Sequence, residues 1–173
     1  MKRLYSRFML LSSIILILSA CLIFSGCAKQ DLGSDQAGFN WQIAVYDCFL
    51  QSELITENTI TRYDGTSEKV MDKTSPAAGN QFLLIDLSVD KAKAGGSGFE
   101  WAKLDLVDAE GNIYKRADDN FLSKHGYSRI SGLDLRIGQN RGWICIEVPS
   151  DKSEKYTLIY HADEGDNLIP VKV

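Results

Sequence analysis

Two patterns of apolar and polar positions divide the chain. From Phe8 to Gly26 there are nineteen residues without a charge, rich in Leu, Ile and Phe. From Trp41 onward the dominant period is two. Trp41, Ile43 and Val45 alternate with Gln42 and Ala44, and Leu83, Ile85, Leu87 and Val89 with Leu84, Asp86, Ser88 and Asp90. The same grammar recurs at Leu104 and Leu106, at Leu133, Leu135 and Ile137, at Ile144, Ile146 and Val148, and at Ile169, Val171 and Val173. Alternation of this kind predicts strands with one face in a core and one in water. Turn residues punctuate the runs: Asp64-Gly65, Gly79-Asn80, Gly95 to Gly98, Glu110-Gly111-Asn112, Gly138 to Gly142 and Pro149-Ser150-Asp151. Each supplies a tight bend or a residue that tolerates positive φ. Helical periodicity is nearly absent beyond residue 38, apart from a short turn near Phe121–Lys124. Strands with one apolar face cannot stand as a single open sheet, so a sandwich is predicted.

The N-terminal run has the anatomy of an export signal. Lys2, Arg3 and Arg7 precede the apolar stretch, and small residues precede cysteines at its end. Two lipoprotein-type boxes fit: Leu18-Ser19-Ala20-Cys21 and Phe24-Ser25-Gly26-Cys27. Cys21 is followed by the apolar Leu22-Ile23-Phe24, whereas Cys27 is followed by a polar stretch rich in Gly, Ser, Gln and Asp. A tether leaving a membrane should be polar and flexible, so Cys27 is the expected lipidation site, with acyl chains such as palmitate, and Cys21 the alternative. Nineteen apolar residues are also long enough for an uncleaved anchor helix. The expected organisation is therefore a signal peptide over 1–26, the lipidated cysteine and linker over 27–38, and one folded domain over 39–173. Residues 27–173 hold 16 Lys and Arg against 23 Asp and Glu, a formal charge of −7. An acidic domain has no footprint for a phosphate backbone and is repelled by anionic headgroups, which argues against nucleic acid and against charge-driven membrane binding.

The order of strands resembles a known family. Gly79-Asn80-Gln81-Phe82-Leu83-Leu84-Ile85-Asp86-Leu87-Ser88-Val89 is similar to an opening strand of the lipoproteins called domain of unknown function 4352. So are Leu104 to Tyr114, with its glycine turn and tyrosine, Leu135-Arg136-Ile137-Gly138, and Gly142 to Pro149. The family often places Asn where this chain has Lys91, which leaves the loop from Asp90 to Phe99 open. The resemblance implies an all-β fold: an immunoglobulin-like antiparallel β-sandwich of about seven to nine strands, preceded by an N-terminal signal helix. It implies no catalytic residues and no cofactor.

Few residues offer chemistry. Cys48 and Cys145 are the cysteines beyond the signal. Alternation puts each opposite the core face of its own strand, which leaves two readings open: a disulfide, stabilising by about 4–5 kcal/mol on the chain-entropy estimate, or two separate thiols. His125 and His161 fall in none of the short spacings that mark metal sites, and solvated histidines are the simpler reading. Asp108-Ala109-Glu110-Gly111-Asn112 has the start of a calcium loop, with Asp118 and Asp119 nearby, but lacks the final glutamate. A hairpin turn explains it better. Trp101 and Trp143, with Phe82 and Tyr46, fall by strand phase opposite the core set. Aromatics gathered on one open face would form a recognition surface, whereas packing under loops is the commoner fate of Trp. These residues point to a non-catalytic binding or interaction module, displayed on the extracytoplasmic side of the cell membrane and held there by its lipid, with an envelope protein as partner. The alternative is a small-molecule or metal-ion sensing accessory domain. No catalytic residue, metal site or cofactor is expected.

Overall fold

The computed structural model describes residues 38–92, 98–130, 135, 138–152 and 155–173. The signal region with Cys21 and Cys27, the turn residues 95–97 and most of the expected strand Leu133–Ile137 lie outside the described residues.

Among the described residues, nine strands form three antiparallel sheets. They are β1 (Trp41–Gln51), β2 (Leu54–Thr61), β3 (Ser67–Thr74), β4 (Asn80–Lys91), β5 (Leu104–Val107), β6 (Ile113–Lys115), β7 (Gln139–Pro149), β8 (Tyr156–Ala162) and β9 (Gly165–Val171). One sheet has the order β1-β4-β7, a second β6-β5-β8-β9, and β2 pairs with β3 as a separate hairpin. The alternating apolar residues account for the packing. Ile43, Val45, Leu83, Ile85, Leu87, Ile144 and Ile146 from the first sheet share one buried cluster with Leu104, Leu106, Tyr156, Leu158, Ile169 and Val171 from the second. Burying each such side chain contributes about 1.5–3 kcal/mol. The fold is an immunoglobulin-like antiparallel β-sandwich.

β4 departs from simple alternation, because Phe82 through Val89 are all buried. It is the central strand of its sheet, and its outer face is covered as well. Phe82, Leu84 and Cys145 form a second cluster with Leu54 at the base of the hairpin and Leu122 of a 3-10 helix, Asn120–His125. His125 ties that helix to the hairpin, its Nδ1 lying 2.8 Å from Thr56 Oγ1 and its Nε2 2.8 Å from Thr74 Oγ1. Further out the hairpin is open to solvent, with Ile55, Ile60, Tyr63 and Met71 exposed.

A bulge in β1 breaks the expected phase. Val45 pairs with Leu87 but Asp47 pairs with Asp86, so Tyr46 is the extra residue. One inserted residue exchanges the faces of everything beyond it. Cys48 therefore pairs with Ile85 and packs against the main core, while Cys145 pairs with Leu84 on the outer face. The two thiols lie on opposite faces of the sheet with β4 between them. The candidate Cys48–Cys145 disulfide is overturned for this geometric reason. Cys48 Sγ instead lies 2.8 Å from Lys172 O, joining β1 to the residues that follow β9.

Candidate functional site

On the side of the sandwich away from β9, the chain itself passes from one sheet to the other. β6 pairs with β5, and the next residue, Arg116, bridges to Ile146 of β7. Ala117 N donates to Cys145 O at 3.0 Å. The 3-10 helix follows and ends at Gly126, which adopts φ 81°. Ser128–Ile130 then runs alongside β7. Trp143 N donates to Ser128 O at 2.8 Å, and Ile130 N to Trp143 O at 3.2 Å. This approach needs Gly142, because a Cβ there would stand 2.5 Å from Ile130 N and 2.7 Å from Ser128 O.

At this crossing lies a cavity of about 310 Å3, walled by Trp101, Lys115, Arg116, Asp118, Asp119 and Arg129 among others. Its organising group is Asp119, whose side chain is only 2% exposed. Arg116 donates to it from Nε at 2.7 Å and from Nη2 at 3.1 Å, and Arg129 donates from Nε at 2.6 Å. Arg116 Nη2 also reaches Ile130 O at 3.0 Å, and its guanidinium stacks on the Trp101 ring, 4.0 Å from the centroid. Two guanidiniums meet on this one carboxylate, and Asp118 stands beside them in the cavity wall. A buried carboxylate requires such pairing, since an unpaired ion in low dielectric costs several kcal/mol. Arg129 is the more open of the pair, its side chain 28% exposed against 10% for Arg116. Lys115 is paired with Asp105 and also donates to Ala102 O at 3.2 Å. The Trp101 Nε1 atom is buried and has no acceptor among the described residues.

The aromatic candidates are not gathered on one open face, which corrects that expectation. Trp143 packs edge-on against Phe49 and Tyr127, and Phe82 is buried beside Phe121. Trp101 stands in a 3-10 turn, Trp101–Lys103, edge-on to Phe99. Loops and the hairpin cover the face that alternation assigned to water. Of these aromatics, Trp101 alone lines the cavity. Tyr46 instead carries the Arg141 guanidinium, 3.8 Å from its ring centroid.

The Asp108 turn closes as a hairpin. Asp108 Oδ1 accepts from Glu110 N at 2.9 Å and Asn112 N at 2.8 Å, while Lys152 Nζ lies 3.0 Å from Oδ2. The hydrogen bonds from Asn112, with those from Lys152 and Tyr114, hold the Asp108 carboxyl well below the usual carboxylate range. His161 is less solitary than expected. Its Nδ1 lies 2.7 Å from Asp166, and that contact, with a weaker one to Asp105, raises its pKa. Among the described residues no group of three or more His, Cys, Asp or Glu side chains is placed to hold a metal ion.

Sequence reasoning missed Arg116 and Arg129 and saw in Asp119 only a stray oxygen donor. The i,i+3 spacing of Arg116 and Asp119 is a weak local signal. Nothing local links either to Arg129.

No family model matches the chain, and no curated protein matches it. Two solved structures are similar to it. A conserved hypothetical protein from Bacillus anthracis has a TM-score of 0.46 at 15% identity, over 75% of this chain and 87% of that one. An uncharacterised β-sandwich protein from Clostridium difficile 630 has a TM-score of 0.41 at 7% identity, over 77% and 86%.

Proposed function

We propose that this protein is a lipoprotein anchored through Cys27 on the extracytoplasmic side of the cell membrane. Its sandwich is a non-catalytic interaction module that engages an envelope protein at the Trp101–Arg116–Arg129 cavity. The observation that carries this reading is the cavity's character. It joins an aromatic surface to two guanidiniums, on a domain whose formal charge is negative. Trp and Arg are the residues most often found at the energetic centre of protein interfaces. Held in place by Asp119, the two arginines lose little conformational freedom on binding, which is how a preorganised site gains affinity. The strand order that resembles domain of unknown function 4352 agrees with a tethered accessory role. Neither nucleic acid nor a cofactor has a place in it.

The test is photo-crosslinking in living cells with the full chain and a probe at Ala102, an exposed wall residue. The expected result is one dominant envelope protein captured in the membrane fraction. The intact mass should show a chain cut before Cys27 and acylated there, and Cys27→Ala should remove the acyl mass. An uncut, unacylated chain would remove the anchoring half of the reading, and a ladder of unrelated adducts would remove the other half.

A further inference from the structure

We propose that the cavity binds a carboxylate, the acidic side chain of a protein partner, between Arg129 and the Trp101 indole. This names the ligand chemistry of the site above and rests on the reading of that site as the docking point.

Arg116 and Arg129 share Asp119, and Asp118 at the rim supplies a second carboxylate, so the two guanidiniums are matched in charge. Exposed Asp118 stands at the rim and already turns upon its own chain, accepting from Asn120 N at 3.3 Å. Lys115 is occupied by Asp105. The ligand is therefore selected by the geometry of the donors rather than by an excess of charge.

The donors point to a carboxylate. Arg116 has Nε and Nη2 committed to Asp119 and Ile130 O, and its guanidinium lies on one face of Trp101. Among the described residues, Arg129 has only Nε committed, to Asp119. Its two terminal nitrogens have no acceptor among the described residues. A guanidinium with free terminal nitrogens can take a planar carboxylate in two parallel hydrogen bonds. The Trp101 indole N–H is a further donor without an acceptor among the described residues. Leaving such a group buried and unsatisfied costs free energy that a ligand can recover. Size agrees with these donors. About 310 Å3 is at the lower limit for small-molecule sites, enough for one acidic side chain and too little for an extended ligand.

The experiment is 15N NMR of the full chain in detergent micelles, with the Trp101 indole signal assigned by Trp101→Phe. The titrants are N-acetylglutamate N-methylamide, whose one charge is the side-chain carboxylate, its neutral counterpart N-acetylglutamine N-methylamide, and inorganic phosphate. Each is carried to tens of millimolar. The expected result is a saturable shift of the Trp101 indole and of the Arg129 Nε–H signals with the glutamate compound and none with the glutamine compound. A fragment of this size should bind with a dissociation constant on the order of millimolar. Arg129→Gln leaves a one-to-one Arg116–Asp119 pair, so the fold is kept while the pair of terminal donors is lost; affinity should fall about tenfold or more. Lys124→Gln, at an exposed cation outside the cavity, should change nothing. Equal shifts with acid and amide, no shift at all, or indifference to Arg129→Gln would overturn the proposal, and tighter binding of phosphate would replace carboxylate with phosphate. The two readings fail separately. A cellular adduct that survives Arg129→Gln sinks the carboxylate site and leaves the module, whereas glutamate binding without any cellular adduct does the reverse.

Discussion

The two faces of β4 are equally buried and do different work. Its inner residues, Leu83, Ile85, Leu87 and Val89, meet the second sheet and make the sandwich. Its outer residues Phe82 and Leu84 meet Leu54 and Leu122, which belong to the hairpin and to the segment between β6 and β7. The inner face builds the scaffold, and the outer face fastens the pieces that shape the cavity. The face a residue occupies, rather than its degree of burial, separates scaffold from site in this molecule.

The largest effect should come from the inner face. Ile85→Ala should destabilise the whole domain by about 2–5 kcal/mol, read as a shift of the denaturant midpoint with an unchanged slope. Loss confined to the 116–130 segment would contradict the division. Gly142→Ala acts where the 116–130 segment runs alongside β7. Its Cβ would push against the backbone of Ser128–Ile130, costing about 1–3 kcal/mol. Hydrogen exchange should speed up at Ile130 N while the inner β4 amides keep most of their protection. Arg129 should lose its place beside Asp119 in the same variant.

Cys145 sharpens the contrast by pH. Burial, with the Asp119 and Glu147 charges adding to it, pushes its thiol up to about 12 from an ordinary value near 9. Between those values the unfolded chain gives up the proton and the folded one keeps it. Stability should therefore fall by about 1.4 kcal/mol for each pH unit above 9. Cys145→Ser should flatten that slope, and a slope unchanged in the variant would assign it to other groups. The smallest effect is His125→Ala. It removes two side-chain contacts worth about 0.5–1.5 kcal/mol each, felt as faster exchange in β2 and β3 while the sandwich midpoint hardly moves. A hairpin of two strands has little stability of its own, so the clamp at its base should govern its motion.

Much of the sandwich was legible from alternation. The clearest cases are Ile43, Ile85, Leu104, Leu106, Ile144 and Ile146, each buried as its phase predicts. The hairpin was not legible as strands, because β2 and β3 are mostly exposed and carry no apolar period. Cys48 was misplaced because a bulge leaves no mark in the apolar pattern. The Asp108 turn was readable, since an Asp, a Gly and an Asn within five residues close it locally.

What the sequence determined by itself is whatever depends on neighbours along the chain: the strands with one buried face and the turns. The tertiary structure alone decided what depends on residues brought together from afar. Arg116 and Arg129 meet at Asp119 only because the chain changes sheets after Lys115 and returns beside Gly142. A buried carboxylate between two cations is set by three-dimensional charge balance, and no period in the sequence encodes that.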